Sequence, residues 1–276
     1  MGVMALLLTA CGGSTGRNDA ELAERRVADL RFDKLVAGRD RYCGLTQGDR
    51  ALVCVERGKI SVQRPGPFQD FALDESFSFA ELCTLDLQGE LNCDKFTDAK
   101  LPPGSYHSLA LGFFNGCALD SEGRPVCWVP AELGGTPDLP VEGALRLSVD
   151  LWHACAMFGG AGHVQCFGLP SDEVVNQMHF IQVSASGMST CGITLAPTIG
   201  DVVCVDDSGV TLKLAGSFRS LDTNADGDGC ASDLDGKIRC WGSFKDPEHT
   251  ERLGQVTVSP THVCALDADG AAHCFR

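Results

Sequence analysis

Fifteen cysteines carry the most legible chemistry in this sequence of 276 residues. A cysteine can be acylated, oxidised to a disulfide, or deprotonated onto a metal, and spacing helps decide which. Fourteen of them fall into seven ordered pairs: Cys43/Cys54, Cys83/Cys93, Cys117/Cys127, Cys155/Cys166, Cys191/Cys204, Cys230/Cys240 and Cys264/Cys274. Members of a pair are 10 to 13 residues apart, and first members recur every 34 to 40 residues. Structural zinc sites want closely spaced C-x-x-C knuckles, which these separations do not give. Seven disulfides, first with second in every pair, are expected; reduced core cysteines and metal sites are the competing readings.

The fifteenth cysteine, Cys11, follows MGVMALLLTA, an uncharged, mostly apolar run. Ten residues are too few to span a bilayer but suit a short signal-peptide core. Leu8-Thr9-Ala10-Cys11 resembles the bacterial lipobox, in which the cysteine is lipidated and becomes the first mature residue, although no Lys or Arg precedes it. Gly12 at the next position implies, by the same resemblance, sorting to the outer membrane. Residues 1–10 are therefore read as a signal peptide and 11–26 as a tether, with the membrane reached through the lipid.

Other candidate chemistry is sparse. Gly12-Gly-Ser14-Thr-Gly16 matches G-x-S-x-G, but it lies in the tether rather than at a strand-to-helix turn. His153 and His262 recur shortly before a first cysteine, in WHAC and THVC, and read as hydrogen-bonding residues at a strand entry. Asp222, Asn224, Asp226 and Asp233 stand at positions 1, 3, 5 and 12 of a calcium-loop pattern, with Gly227 at position 6 and Asp228 at position 7. Gly229 at position 8 and Asp in place of Glu at position 12 depart from it. A polar, turn-rich entry to the sixth unit is the competing reading. No catalytic residue and no cofactor is expected.

The elements that position the cysteines form a repeat, and a period near 37 residues marks a repeat architecture. CALDSEGRPVC (117–127), CASDLDGKIRC (230–240) and CALDADGAAHC (264–274) show the unit most clearly. A small residue follows every first cysteine, and a Gly sits four residues before the second in six of seven units; Gly48 is the exception, at six. A strand, a Gly turn and a second strand make a β-hairpin, with the two cysteines cross-strand neighbours. Upstream of the first cysteines, FDKLVAG (32–38), FSFAEL (77–82), LALGFF (109–114), ALRLSV (144–149), FIQVSA (180–185), FRSLDT (218–223) and QVTVS (255–259) supply a further strand per unit. Three strands per unit are expected, with room for a short fourth. Seven such sheets predict an all-β, seven-bladed propeller over 27–276, apolar at alternating hairpin positions, with one hairpin disulfide per blade. Val27–Leu30 is read as a strand that completes blade seven and locks the ring.

CALDADGAAHCF, WHACAM…HVQCFG and CASDLDGKIRCWG resemble the regulator of chromosome condensation repeat family over about residues 27–276. Their short units resemble its secreted bacterial branch, which includes the β-lactamase inhibitory protein. The resemblance implies a protein-binding propeller. With 22 Lys+Arg against 37 Asp+Glu, the net charge of −15 argues against a nucleic-acid partner. It favours a basic one. The expected function is a non-enzymatic, monomeric lipoprotein scaffold in the bacterial envelope, binding an unidentified protein or envelope component. An enzyme inhibitor, drawing on Trp128, Trp152 and Trp241, or a glycan-binding propeller is the alternative.

Overall fold

Each cysteine pair spans one hairpin, and the parity of that hairpin fixes the sheet around it. The computed structural model describes residues 26–74, 81–94, 101–112, 115–128, 142–150, 153–159, 162–168, 172–196 and 200–275. In it all seven pairs lie directly opposite across antiparallel strands. All seven are disulfides, joining Cys43 to Cys54, Cys83 to Cys93, Cys117 to Cys127, Cys155 to Cys166, Cys191 to Cys204, Cys230 to Cys240 and Cys264 to Cys274, with Cα atoms 4.0–4.1 Å apart. So short a separation belongs to the non-hydrogen-bonded class of antiparallel pair. The turns agree: the N–H groups of Asp120, Asp233 and Asp267 donate to the carbonyls of Arg124, Lys237 and Ala271, three rungs from the disulfide.

Seven separate sheets result. Blade one contains β1 (Phe32–Ala37), β2 (Arg41–Thr46), β3 (Leu52–Glu56) and β4 (Lys59–Arg64). Blade two contains β5 (Phe68–Asp74), β6 (Glu81–Asp86) and β7 (Leu91–Cys93); blade three contains β8 (Tyr106–Gly112), β9 (Asn115–Asp120) and β10 (Pro125–Trp128). Blade four contains β11 (Ala144–Val149), β12 (Ala154–Phe158) and β13 (Val164–Phe167), followed by the short helix α1 (Asp172–Val175). Blade five contains β14 (His179–Ser186), β15 (Ser189–Ala196), β16 (Val202–Asp206) and β17 (Gly209–Leu214). Blades six and seven are β18 (Phe218–Thr223), β19 (Gly229–Asp233), β20 (Ile238–Trp241), then β21 (Leu253–Val258), β22 (Val263–Asp267), β23 (Ala272–Phe275).

In blades one and five the glycine after the first cysteine lies under an aromatic near the start of the inner strand. A Cβ on Gly44 would overlap the Phe32 ring, and one on Gly192 the Phe180 ring. All seven inner strands carry a register shift just after their first residue. Such a bulge re-aims a side chain.

The repeated turn glycine also joins blades. Its carbonyl accepts an N–H at the start of the next inner strand: Gly89 from Tyr106, Gly123 from Ala144, Gly162 from Phe180, Gly200 from Phe218 and Gly236 from Leu253, at 2.8–3.0 Å. The ring closes identically, with Phe32 N–H donating to Gly270 O at 2.7 Å. Only the first seam differs, and it is the unit whose Gly is displaced. There Arg50 takes the glycine's place with φ 48°, and its carbonyl accepts from Phe68 N–H at 3.1 Å. Its guanidinium also donates to Phe68 O and Gln69 O, both at 2.7 Å.

Three expectations are corrected. The hairpin strands do not alternate between buried and exposed: β6 is buried at five consecutive residues, and Cys127 and Trp128 are buried in succession at the end of β10. The reason is that each blade is sandwiched between two others. Cys127 packs with Ala144 and Val149 of blade four, whereas Trp128, on the opposite face, packs with Ala72 and Leu85 of blade two. The inner strand of blade two is Phe68–Asp74, not residues 77–82: Ala72 of that strand pairs with Cys83, and Glu81 and Leu82 belong to β6; of the expected run, 77–80 lie outside the described residues. Val27–Leu30 supplies no strand. Val27–Asp29 is a 3-10 turn, Leu30 is buried against the seam, and among the described residues blade seven has three strands, all from the C-terminal end.

Gly48 and Gly236 have nearly equal φ values of 86° and 82°, but a Cβ on Gly48 meets nothing, whereas one on Gly236 lies 2.7 Å from Arg252 Cα and Leu253 N. Gly48→Ala should cost roughly 1–2 kcal/mol for the left-handed backbone alone. Gly236→Ala should cost about 1–3 kcal/mol more from the clash with the next blade. Denaturant unfolding of both variants measures the difference; equal losses would show that the glycine serves only its own turn.

Candidate functional site

The seven inner strands surround a central channel of about 360 Å³. Because each first cysteine is non-hydrogen-bonded toward its hairpin partner, it is hydrogen-bonded toward the inner strand. The inner-strand residues opposite it are Val36, Ala72, Ala110, Ser148, Ser184, Asp222 and Thr257. On either side of these residues the N–H groups point into the channel and need acceptors.

Side chains of the preceding blade supply them. Ser148 Oγ accepts from Ala185 N–H (2.8 Å), Asp222 Oδ2 from Val258 N–H (2.8 Å) and Thr257 Oγ1 from Ala37 N–H (2.9 Å). Two residues earlier, Asp70 accepts from Leu109 N–H (3.0 Å) and Ser220 Oγ from Val256 N–H (3.1 Å). Gln182 brackets Leu221 by accepting its N–H at 3.3 Å and donating to its carbonyl at 2.7 Å; Gln255 does the same to Leu35 at 3.2 and 2.9 Å. Lys34 Nζ donates to Phe71 O at 2.8 Å and pairs with Asp70 at 2.5 Å. These staples were not recognised in the sequence, although their signal was present: polar residues interleaved with the apolar ones of inner-strand runs such as ALRLSV and FRSLDT.

Asp222 is the most constrained of them. Its carboxylate lies between blades five, six and seven, accepting from Ser184 Oγ (3.2 Å) as well as from Val258 N–H. Burial pushes its pKa up, against the hydrogen bonds from Val258, Thr257, Thr223 and Ser184 that favour the charged form. Among the described residues no Lys, Arg or His is within ion-pair distance of it.

That placement separates the calcium-loop residues. Asn224 Oδ1 caps its own loop, accepting from Asp226 N–H (3.0 Å) and Asp228 N–H (3.1 Å). Asp228 accepts from Ser243 N–H at 2.9 Å, and Asp233, at the far end of β19, caps Lys237 N–H at 2.9 Å. Asp222, Asn224, Asp228 and Asp233 serve separate hydrogen-bonding tasks, and Asp226 takes part through its backbone N–H. Among the described residues the one cluster of metal-ligand types is Glu81 with Cys83 and Cys93, whose sulfurs are tied in a disulfide.

His153 and His262 are hydrogen-bonding residues at strand entries. His153 Nε2 meets Thr190 Oγ1 at 3.0 Å, and His262 Nδ1 meets Ser259 Oγ at 3.1 Å. Burial lowers the His153 pKa to about 4. Cys11, the G-x-S-x-G run and Trp152 lie outside the described residues. No helix among the described residues is long and apolar enough to cross a membrane.

No protein-family model and no curated protein matches this chain. Solved structures do. The ectodomain of the receptor kinase CR4 from Physcomitrella patens is 19% identical with a TM-score of 0.65, covering 87% of this chain and 72% of that one. The CRINKLY WD40 ectodomain of the Arabidopsis thaliana receptor kinase ACR4 is 20% identical with a TM-score of 0.61, covering 80% and 83%. Yeast RCC1 (Prp20), solved bound to Kap60, is 13% identical with a TM-score of 0.61, covering 86% and 81%. At these identities the likeness establishes the β-propeller fold.

Asp222 and His153 impose opposite pH dependences. A carboxyl with a raised folded pKa contributes stability below its unfolded pKa, near 3.9, and loses it as pH rises through the folded value. A histidine with a depressed pKa loses stability as pH falls from about 6.5 through about 4. Asp222→Asn should therefore be more stable than the parent at neutral pH, with the gap closing toward pH 3. His153→Gln should flatten the acid limb. Thermal melts across pH test both; an Asp222→Asn variant less stable at neutral pH would show that the hydrogen bonds outweigh the burial cost.

Proposed function

We propose that this chain is a non-enzymatic protein-interaction scaffold, held at a bacterial outer membrane by lipid on Cys11. One observation carries the scaffold reading: polar side chains lining the channel are engaged with the backbone of the next blade. The rim and loops are left as the binding surface. Yeast RCC1 (Prp20), which shares the fold, was solved bound to another protein, Kap60. The lipobox-like LTAC run supports the anchor, and seven disulfides support an oxidising compartment. The net charge of −15 favours fast encounter with basic partners.

Crosslinking and pull-down from native envelopes should recover a specific protein partner; recovery of none would count against the scaffold. Cys11→Ser should abolish fatty-acyl labelling and move the protein from the membrane to the soluble fraction. A variant that stays membrane-bound would remove the anchor from the proposal.

A further inference from the structure

The parity that turns inner-strand amides toward the channel turns the second cysteine of each pair toward the rim. Its N–H and C=O point away from the hairpin and need partners. In blades one and five a fourth strand supplies them, with Cys54 opposite Val62 and Cys204 opposite Leu212. In blade four Asn176 takes both groups, accepting from Cys166 N–H at 2.6 Å and donating to Cys166 O at 3.2 Å. In blade six Asp246 accepts from Cys240 N–H at 2.7 Å, and His249 Nε2 from Ile238 N–H at 3.4 Å. The segments that follow Cys93 in blade two and Cys127 in blade three, 95–100 and 129–141, lie outside the described residues.

Among the described residues blade seven has neither device. Its outer strand, Ala272–Phe275, is a sheet edge on which Cys274 is exposed, whereas Cys127 on the corresponding strand of blade three is buried. No described residue caps the outward amides of Ala272 and Cys274. Beside this edge, at the seam with blade one, lies a cleft of about 440 Å³. Cys274 and Phe275 line it together with Arg39, Asp40, Arg41, Arg57 and His262, and Arg57 Nε lies 4.0 Å from Glu56 Oε1. Arg39 and Arg57 are exposed. Thr261 Oγ1 donates to Arg39 O across the seam and fixes the loop that carries this arginine. Three guanidinium groups against one lining carboxylate, Asp40, stand out in a chain with a net charge of −15.

We infer that the outer edge of blade seven is a strand-addition site for an acidic, extended segment of a partner protein. The segment pairs its backbone with Ala272 and Cys274 and directs carboxylates into the arginine cleft, where guanidinium forks match carboxylate geometry. The inference rests on the scaffold reading and names the chemistry of its partner: locally acidic, opposite to the basic partner that the whole-chain charge favours.

The probe is a synthetic peptide of alternating glutamate and valine, with a lysine–valine peptide as control, titrated against the full chain. The glutamate peptide should bind and the lysine peptide should not. Methylating alternate backbone nitrogens should abolish binding. Arg39→Glu combined with Arg57→Asn, the latter chosen because Asn tolerates the φ of 49° at that turn, should weaken binding by at least about tenfold. Hydrogen exchange should find the Ala272 and Cys274 amides fast in the free protein, unlike those of Cys54 and Cys204, and slowed by the peptide. Amides already protected in the free full chain would mean that its own residues cover the edge, and would overturn the inference. So would binding indifferent to the arginines or to backbone methylation. A pulled-down partner that crosslinks away from blade seven would sink this site while leaving the scaffold standing.

Discussion

A disulfide joining residues directly opposite across an antiparallel ladder occupies, in this protein, the non-hydrogen-bonded rung in all seven blades. That choice propagates outward in both directions. Toward the axis it determines which inner-strand amides face the channel, and hence which side chains of the neighbouring blade must be polar. Toward the rim it determines which outer-strand amides need a fourth strand, an Asn176 or an Asp246. A shift of one rung would send every one of these side chains to the wrong face.

The disulfides do not themselves hold the ring together. Each closes a loop within one blade, worth roughly 2–3 kcal/mol on chain-entropy grounds. Cohesion between blades comes from the apolar clusters at each seam, from the glycine-to-backbone bonds and from the channel staples. The cysteines contribute to it as packing groups: the Cys117–Cys127 bridge sits in the apolar cluster shared with blade four. The seam between blades seven and one uses the same three devices as the others. Phe32 bonds Gly270, Gln255 brackets Leu35, and Leu30, Phe32 and Leu35 pack with Cys264 and Leu266.

The hairpins were legible in the sequence because two residue types at fixed spacing, Cys and Gly, are each bound to one geometry. The burial of consecutive residues such as Cys127 and Trp128 was not, because it comes from blades on both sides rather than from the strand itself. The displaced Gly48 was legible as an anomaly, but its consequence, Arg50 standing in for it with a positive φ, needed coordinates. The inner strand of blade two was misplaced because FSFAEL is as apolar as FQDFALD, and only the pairing of Ala72 with Cys83 separates them. The calcium-loop pattern failed for a related reason. Spacing along the chain aligned Asp222 with Asp233, while β18 and β19 carry them to opposite tasks. The staples were hidden because nothing beside them along the chain marks them; their meaning lies in a backbone amide some 36 to 39 residues further on, or 220 residues back in the case of the closing seam.

Closure without strand exchange also sets how the molecule bears load. Residue 26 leads straight into the turn at Val27–Asp29, and Val27 and Leu30 pack into the last seam. Tension applied through the amino-terminal end therefore reaches first the one seam whose two blades are not consecutive in the chain. Among the described residues no covalent bond and no shared sheet crosses that line, so a pull there is resisted by side-chain packing and a handful of hydrogen bonds acting in parallel. Elsewhere, neighbouring blades are joined by the chain itself. Mechanically, the propeller is a clasped belt with its buckle beside the point where residue 26 enters the ring.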